Sequence, residues 1–245
     1  MTHKVAKAKK KCYNYLINKL KGIIVMLKLL IFDLDGTLVD TLTTIKDAVN
    51  NTMRMYGFRE YSYEEMRMLV GHGAKQLIRD ACAGEVKEGK DGEEFFKKVY
   101  ADYSEQYRAV HLEVEKPYDG LAEVLKKLSE AGYKLAVLSN KPDPFVKGIV
   151  DKIFPEGLIS HAQGQTELPI KPDPTAPLEI AKMFGVSPEE CAFIGDSDVD
   201  ILTAKNAGMF SVGVSWGYRD REVLLSLAPD AIADTPRELR EIFIK

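Results

Sequence analysis

A short apolar segment that ends in two aspartates constrains the fold more than any other feature of the chain. Residues 28–32 lead into Asp33 and Asp35, and Gly36 with Thr37 then favours a turn of the backbone. Alternate residues of a strand point to the same side, so we expect both carboxylates side by side at the carboxyl end of this strand. Like charges buried that close repel strongly unless a cation lies between them or one is protonated. The segment therefore predicts a metal site, and hard oxygen ligands favour Mg²⁺.

The spacing of apolar residues divides the rest of the chain into two parts. A helical period runs from Thr41 to about His111 without a strand-like run, which predicts a separate bundle of helices. From Pro117 onward, helical and strand-like segments alternate, which predicts an α/β fold with parallel strands, crossover helices and ligands at the carboxyl ends of the strands. The predicted strands in this part are residues 134–138, 158–161, 191–194, 211–214 and 231–232.

The charge balance argues against nucleic acid as a partner. Residues 1–28 contain eight lysines and no acidic residue, so the remainder has 26 basic and 37 acidic residues and a net charge of −11. A protein region with this negative net charge binds nucleic acid poorly, and it must hold an anionic substrate through a local positive site. The three cysteines, Cys12, Cys82 and Cys191, are widely spaced and odd in number, which indicates reduced thiols in a cytoplasmic protein.

Residues 1–25 form a basic N-terminal extension with an apolar patch near its end. The patch resembles a signal peptide, but it lacks a small-residue cleavage site and is too short to span a membrane, so we expect no membrane association. We expect Met26 to be the natural start and the extension to be poorly ordered. The alternative is a short basic amphipathic helix, based on the helical spacing of Tyr13, Leu16, Ile17 and Leu20.

Polar residues directly after three of the predicted strands, together with a lysine in the loop before the helix predicted from Thr175, share one chemistry. Carboxylates from two strands can hold Mg²⁺, hydroxyl and amide groups can hold phosphate oxygens, and a lysine can neutralise charge, which are the groups that phosphoryl transfer needs. One carboxylate can be the nucleophile, and a second can protonate the leaving alcohol and activate the water. The residues in question are Asp33, Asp35, Ser139, Asn140, Lys141, Lys171, Asp196, Ser197, Asp198 and Asp200.

Four motifs in this order resemble the haloacid dehalogenase superfamily of phosphotransferases. They are the segment 33–40 (Asp-Leu-Asp-Gly-Thr-Leu-Val-Asp), Ser-Asn-Lys at 139–141, Lys-Pro at 171–172 and Gly-Asp-Ser-Asp-Val-Asp at 195–200. The resemblance extends from about Met26 to the end of the chain. It implies a Rossmann-like parallel sheet core, residues 26–41 and 116–245, with an inserted helical cap domain, residues 42–115.

The same resemblance implies roles for individual residues. Asp33 would be the nucleophile and Asp35 the general acid/base, and Mg²⁺ would be held by the Asp33 carboxylate, the Asp35 backbone carbonyl and Asp196. Lys171 would stabilise the nucleophile and the transferred group. Phosphate would be bound by Ser139 and the backbone of Asn140. Asp200 would support the site from behind the metal ligands, and Thr37 and Asp40 would shape the turn that leads to the cap.

Within the cap, Gly71, His72 and Gly73 are candidate substrate contacts. Two glycines around a histidine let the backbone approach a small ligand closely. With Ser-Asn-Lys-Pro at 139–142 and Trp-Gly-Tyr-Arg at 216–219, this segment resembles the phosphoglycolate phosphatase branch, which implies hydrolysis of 2-phosphoglycolate. His72 departs from the small polar residue common there. We expect Lys75 and Arg79 to be solvated surface charges, and the aromatic residues at 216 and 218 to pack their loop.

Other activities share the core motifs. A β-phosphoglucomutase-like phosphomutase, a pyrophosphatase and a nucleotidase of the same superfamily would differ only in the cap. A phosphoacceptor receiver domain places its phosphorylated aspartate on a later strand and lacks a long helical insertion. A binding protein with a degenerate site, which would use its Lys-rich terminus on membrane or nucleic acid, is disfavoured by the intact Asp33, Asp35, Lys171 and Asp196. We expect a monomer or homodimer that acts on a small phosphorylated metabolite.

Overall fold

Six parallel strands form the central sheet, in the order β5-β4-β3-β6-β7-β8. The computed structural model describes residues 16–18, 23–85, 90–113 and 116–244. Phe32 at the end of β3 lies opposite Val137 of β4 and Ile194 of β6, so the residues that follow these three positions lie at one edge of the sheet. The strands are β1 (Leu16–Asn18), β2 (Ile23–Val25), β3 (Leu29–Phe32), β4 (Lys134–Pro142), β5 (His161–Gln165), β6 (Cys191–Gly195), β7 (Phe210–Val214) and β8 (Ala231–Ala233).

Four of the helices between β3 and β4, those within residues 42–110, have an apolar cluster of their own. Their inward residues recur at helical spacing, as Ile45, Ala48, Val49 and Met53 do in the first of them. These helices agree with the helical period of the sequence, and we propose that residues 42–115 form the cap and that residues 26–41 with 116–245 form the core. The helices are α1 (Leu42–Met55), α2 (Tyr63–Leu69), α3 (Ala74–Ala81) and α4 (Lys90–Val110).

Six further helices cover the two faces of the sheet. One apolar cluster packs Leu30 and Phe32 of β3 against helices on one face, and a second packs Leu29 and Ile31 on the other, as alternation along a doubly covered strand requires. The predicted α/β fold with a parallel sheet is therefore confirmed. The helices are α5 (Leu121–Glu130), α6 (Asp143–Ile153), α7 (Thr175–Met183), α8 (Asp198–Ala207), α9 (Arg221–Ser226) and α10 (Pro236–Phe243).

The prediction of a strand at residues 158–161 was wrong. The apolar residues Leu158 and Ile159 lie in a turn and pack against the core from there, whereas β5 begins at His161 and runs through Ala-Gln-Gly to Gln165. Because β5 is an edge strand, one of its sides has no neighbouring strand and its residues need not be apolar. Helix α9 was not predicted from the sequence.

The described part of the N-terminal extension contains a pair of antiparallel strands. Leu16 and Ile17 belong to β1, which pairs with β2, so these two residues do not form the predicted alternative of an amphipathic helix. Tyr13 and Leu20 lie outside the described residues. The β-branched run Ile-Ile-Val of β2 favours an extended backbone. Among the described residues, no helix is long and apolar enough to cross a membrane.

Candidate active site

Three buried aspartates and one lysine form the centre of the site. Lys171 Nζ lies 2.8 Å from Asp33 Oδ1 and 2.7 Å from Asp200 Oδ1, and the lysine side chain is 3% exposed. Burial alone would lower the pKa of Lys171, but the carboxylates of Asp200 and Asp33 raise it above its ordinary value. The lysine is therefore a permanent cation beside the carboxylate at the end of β3.

Asp196, directly after β6, is held by two donors. Thr37 Oγ1 donates to its Oδ1 at 2.8 Å, and the backbone N–H of Tyr218 donates to its Oδ2 at 2.7 Å. Gly36 and Gly217 pack so closely on this aspartate that a Cβ at either position would lie less than 3.0 Å from it. Gly36 also has φ +84°, a conformation that side-chain-bearing residues rarely adopt. The two glycines thus allow the carboxylate to sit against the turn after β3.

The carboxylates of Asp33, Asp196 and Asp200 are spaced to hold a cation. One oxygen from each lies within 4.8 Å of the others. Burial, and then repulsion from neighbouring carboxylates, raises the pKa of Asp196, and burial raises that of Asp33 although Lys171 opposes it. Three carboxylates against one ammonium leave two negative charges, which a divalent cation matches. The residues present therefore fit Mg²⁺, and a bound ion removes the cost of ionising them.

Asp200 is already occupied by protein donors. Its Oδ1 accepts a hydrogen bond from Lys171, and its Oδ2 accepts from the backbone N–H and the hydroxyl of Ser197 at 3.0 and 2.6 Å. Asp33 and Asp196 retain more free lone pairs than Asp200. This arrangement supports Asp33 and Asp196 as metal ligands. It supports a different role for Asp200, which positions Lys171 through their hydrogen bond.

The side chain of Asp35 points away from that cluster toward a second lysine. Lys141 Nζ donates to both of its carboxylate oxygens at 2.7 Å, and Thr41 Oγ1 donates at 2.5 Å. The two aspartates after β3 therefore have different surroundings. The sequence analysis gave Lys141 no separate role, although its place two residues after Ser139 on β4 puts it at the same edge.

Ser139 and Asn140 lie where the sequence predicts. Both are buried and line a cavity that Asp33, Lys171 and Asp196 also line. The side-chain amide of Asn140 donates to the carbonyls of Gly71 and Lys171, each at 3.0 Å, and its oxygen accepts from the Lys171 N–H at 2.8 Å. The Asn140 side chain thus connects the loop at Gly71 with the loop at Lys171. This supports a role for the backbone of Asn140, rather than its side-chain amide, in binding phosphate.

Of the three predicted cap contacts, the structure brings two to the cavity. Gly71 and Gly73 line it together with Asp33, whereas His72 is exposed and lies along a separate outer cleft with Lys75 and Arg79. Arg79 is exposed and donates two hydrogen bonds to Glu93, at 2.8 and 3.0 Å. The basic residues of this segment are surface charges, as expected.

The loop at 216–219 also forms hydrogen bonds to the helical part of the protein, in addition to the packing expected from its sequence. Arg219 is 6% exposed and donates to the carbonyls of Arg67 and Val70, at 2.6 and 2.8 Å, across the boundary between the α/β part and the helices. Its guanidinium thereby binds carbonyls at the end of α2 that have no partner within the helix. Tyr218 reaches the same boundary, where its hydroxyl accepts from the Thr41 N–H at 2.9 Å.

One face of α4 closes the cavity from the cap side. Residues at positions 100, 103, 104 and 107, one helical turn apart, line it opposite Asp33 and Lys141. The sequence alone does not reveal this lining, because helical spacing does not say which cavity a helix face covers.

The chain is similar to known hydrolases over most of its length. The haloacid dehalogenase-like hydrolase family model matches residues 30–214. Phosphoglycolate phosphatase 1 of Pseudomonas aeruginosa is 35% identical over 213 residues, covering 86% of this chain and 78% of that protein. Phosphoglycolate phosphatase of Psychrobacter arcticus is 34% identical over 221 residues, covering 89% and 96%.

Solved structures show the same architecture. The crystal structure of a predicted phosphoglycolate phosphatase from Haemophilus somnus matches with a TM-score of 0.79 and 30% identity, covering 88% of this chain and 97% of that one. CbbY from Rhodobacter sphaeroides, solved with phosphate, matches with a TM-score of 0.73 at 24% identity, covering 87% and 96%, and shares the fold alone.

Proposed function

The chain belongs to the haloacid dehalogenase-like hydrolase family, and on that premise we propose that it is a Mg²⁺-dependent phosphatase that hydrolyses 2-phosphoglycolate through an aspartyl-phosphate. The observation that carries the proposal is the convergence on one cavity of Asp33, Ser139 and Asp196, from three neighbouring strands, and of Lys171, from the loop before α7. The named relatives, which are phosphoglycolate phosphatases at about a third identity, support the choice of substrate.

In the proposed reaction Asp33 attacks the phosphorus and forms a covalent bond to it. Lys171, 2.8 Å from this carboxylate, stabilises the charge on the transferred group, and Ser139 with the backbone of Asn140 binds its oxygens. The bond between phosphorus and the leaving oxygen breaks as Asp35 donates its proton to that oxygen. A water molecule then attacks the phosphorus, Asp35 takes its proton, and Asp33 is released with inorganic phosphate.

Asp33 and Asp196, with the backbone carbonyl of Asp35, would hold Mg²⁺. When bound, the ion neutralises charge on the transferred phosphoryl group and fixes its orientation. Thr37 and the Tyr218 N–H hold Asp196 in place for that role. Lys141 and Thr41 hold the Asp35 carboxylate apart from Asp33 and Asp196, which supports a role for this side chain in proton transfer rather than in metal binding.

The cap is proposed to exclude bulk water and select the substrate. Gly71 and Gly73 bring backbone close to the cavity, and Asn140 ties the Gly71 carbonyl to the core. A closed cap favours transfer to Asp33 over solvent attack. Small phosphoesters fit a cavity that is closed on the cap side by α4. We also propose a cytoplasmic location, which agrees with the free buried thiols of Cys82 and Cys191.

Steady-state release of phosphate tests the proposal. We expect 2-phosphoglycolate to be hydrolysed faster than hexose phosphates, nucleotides and pyrophosphate, and activity to be lost when EDTA removes Mg²⁺. Isomerisation of β-glucose 1-phosphate without net phosphate release would instead identify a mutase.

Asp33→Asn tests the covalent step. Turnover should fall by roughly 10⁴-fold or more, as removal of a covalent nucleophile does. Because burial disfavours ionised Asp33, the variant should unfold at the same temperature as the wild type or a higher one without Mg²⁺. The exposed Asp151 of α6 provides a matched control, since Asp151→Asn makes the same change away from the site. Near-wild-type turnover by Asp33→Asn would refute the mechanism.

A further inference from the structure

The hydroxyl of Tyr107 is a buried polar group without a protein partner. Tyr107 lies on α4, is 1% exposed, and its hydroxyl makes no hydrogen bond in the structure. Leaving a buried hydroxyl unpaired costs free energy, so native proteins rarely do so without a reason. Tyr107 lines the same cavity as Asp33, the proposed nucleophile.

The ring of Tyr107 is held rigidly at the cavity wall. It stacks on Tyr103 with centroids 6.0 Å apart and meets Phe145 edge to face at 5.0 Å. Lys141 Nζ lies 4.9 Å from its ring centroid. Contacts of this kind fix the position of the hydroxyl without using its hydrogen-bonding capacity.

The surroundings of the hydroxyl favour an anionic acceptor. Burial, and then the charge of Asp35, raises the pKa of Tyr107 well above its ordinary value, so the hydroxyl stays protonated and can donate. Two cations line the same cavity: Lys141, which is paired with Asp35, and Arg219, whose Nε lies 3.5 Å from Asp198 Oδ1. A carboxylate on the part of the substrate that is not transferred would satisfy the donor and lie near these cations.

We propose that the Tyr107 hydroxyl donates a hydrogen bond to the carboxylate of the substrate, so that α4 distinguishes a small phosphorylated acid from a neutral phosphoester of similar size. This inference rests on the proposed function, since it assigns a recognition group for the glycolate part. Tyr107 binds the substrate from the cap, while the core residues bind the phosphoryl group. The preference for the acid arises because a neutral ester leaves the buried hydroxyl unpaired.

Two substrates and two variants test the inference. The substrates are 2-phosphoglycolate and ethyl phosphate, which lacks the carboxylate, and the change is Tyr107→Phe, which removes only the hydroxyl. Tyr61→Phe is the matched control, because Tyr61 is a buried tyrosine of the same apolar cluster whose hydroxyl donates to the Ala81 carbonyl at 2.8 Å. We expect Tyr107→Phe to lower kcat/KM for 2-phosphoglycolate by about 10- to 100-fold, the loss typical of a hydrogen bond to a charged group, and to leave ethyl phosphate almost unchanged.

Thermal unfolding separates recognition from a structural role. Tyr107→Phe should leave the Tm of the ligand-free protein unchanged or raise it, because it removes an unpaired hydroxyl. Tyr61→Phe should lower the Tm and leave the ratio of the two kcat/KM values unchanged, because it removes a formed hydrogen bond away from the cavity.

Three results would overturn the inference. If wild type prefers 2-phosphoglycolate and Tyr107→Phe retains that preference, the hydroxyl does not recognise the carboxylate, although the proposed function stands. If Tyr107→Phe slows both esters equally, the hydroxyl acts on Asp35 instead. If wild type hydrolyses phosphoesters but does not prefer 2-phosphoglycolate over ethyl phosphate, both the inference and the proposed substrate fail.

Discussion

Gly217→Ala should disable the metal site by steric displacement, although Gly217 carries no functional side chain. A Cβ at this position would lie less than 3.0 Å from Asp196 Cβ, from Asp196 Cγ and from the carbonyl oxygen of Gly36. Ordinary van der Waals contact begins at 3.4 Å. Because the Gly36 carbonyl is part of the backbone turn after β3, it can shift only with the turn itself. We therefore expect the Asp196 side chain to move instead.

The magnitude depends on the size of that overlap. Relief of the contacts requires a displacement on the order of 1 Å, and a misplacement of this size at an active site can lower turnover by about 100-fold. Overpacking of a tight interior costs about 1–3 kcal/mol of folding free energy. The shift would also weaken the hydrogen bonds that Thr37 and the Tyr218 N–H donate to Asp196. We therefore expect weaker Mg²⁺ binding together with the lower kcat.

Gly213→Ala in β7 is the matched control. A Cβ there would lie 3.6 Å from Ile201, Ile232 and Leu224, which is ordinary contact. The assay is phosphate release from 2-phosphoglycolate over a Mg²⁺ titration, with Tm measured at each Mg²⁺ concentration. Gly213→Ala should resemble wild type, and Gly217→Ala should need more Mg²⁺ and show a smaller rise of Tm on saturation. Equal kcat and equal Mg²⁺ dependence in the two variants would refute the reasoning.

Three further perturbations test the charges of the site and the attachment of the cap. Burial and neighbouring carboxylates raise the pKa values of Asp33 and Asp196 to about 7 and about 8, so between about pH 4 and pH 8 the metal-free folded protein binds more protons than the unfolded chain. Its Tm should therefore fall as pH rises through this range, and saturating Mg²⁺ should remove most of the fall; a metal-free Tm that rises with pH would contradict the assignment. Lys171→Met leaves the buried carboxylates of Asp33 and Asp200 without their cation. It should lower the free energy of unfolding by about 3–5 kcal/mol, measured by denaturant unfolding with EDTA present. An unchanged unfolding midpoint would show that the lysine is not needed for charge balance. Arg219→Met removes the hydrogen bonds to two cap carbonyls. Hydrogen exchange at residues 63–81 should therefore accelerate, and kcat/KM should fall about tenfold. Unchanged exchange would show that Arg219 does not hold the cap.

The core of the candidate site was predictable because its residues lie at or just beyond the carboxyl ends of strands. The carboxyl ends of neighbouring parallel strands lie at one edge, so the residues at those ends are neighbours in space even when they are far apart in sequence. Asp33, Ser139 and Asp196 lie where this argument places them. Their proposed chemical roles depend on the family resemblance and are tested by the substitutions proposed for the site.

The cap side was much less predictable. Gly71 and His72 are adjacent in sequence, but one lines the cavity and the other faces an outer cleft, and local composition cannot say which. The strand β5 was misplaced for a related reason, since apolar Leu158 and Ile159 reach the core from a turn. Burial depends on the neighbouring elements, and the sequence pattern alone does not reveal them.

By itself, the amino-acid sequence determined the alternation that builds a parallel sheet and the acidic strand end that requires a cation. Both are local properties, because strand period and charge spacing act over a few residues. Only the tertiary structure decided that Asp35 pairs with Lys141, that Arg219 holds two cap carbonyls and that the Tyr107 hydroxyl lacks a partner. Those contacts join residues that are far apart in sequence, so they exist only after the helices pack over the carboxyl edge of the sheet.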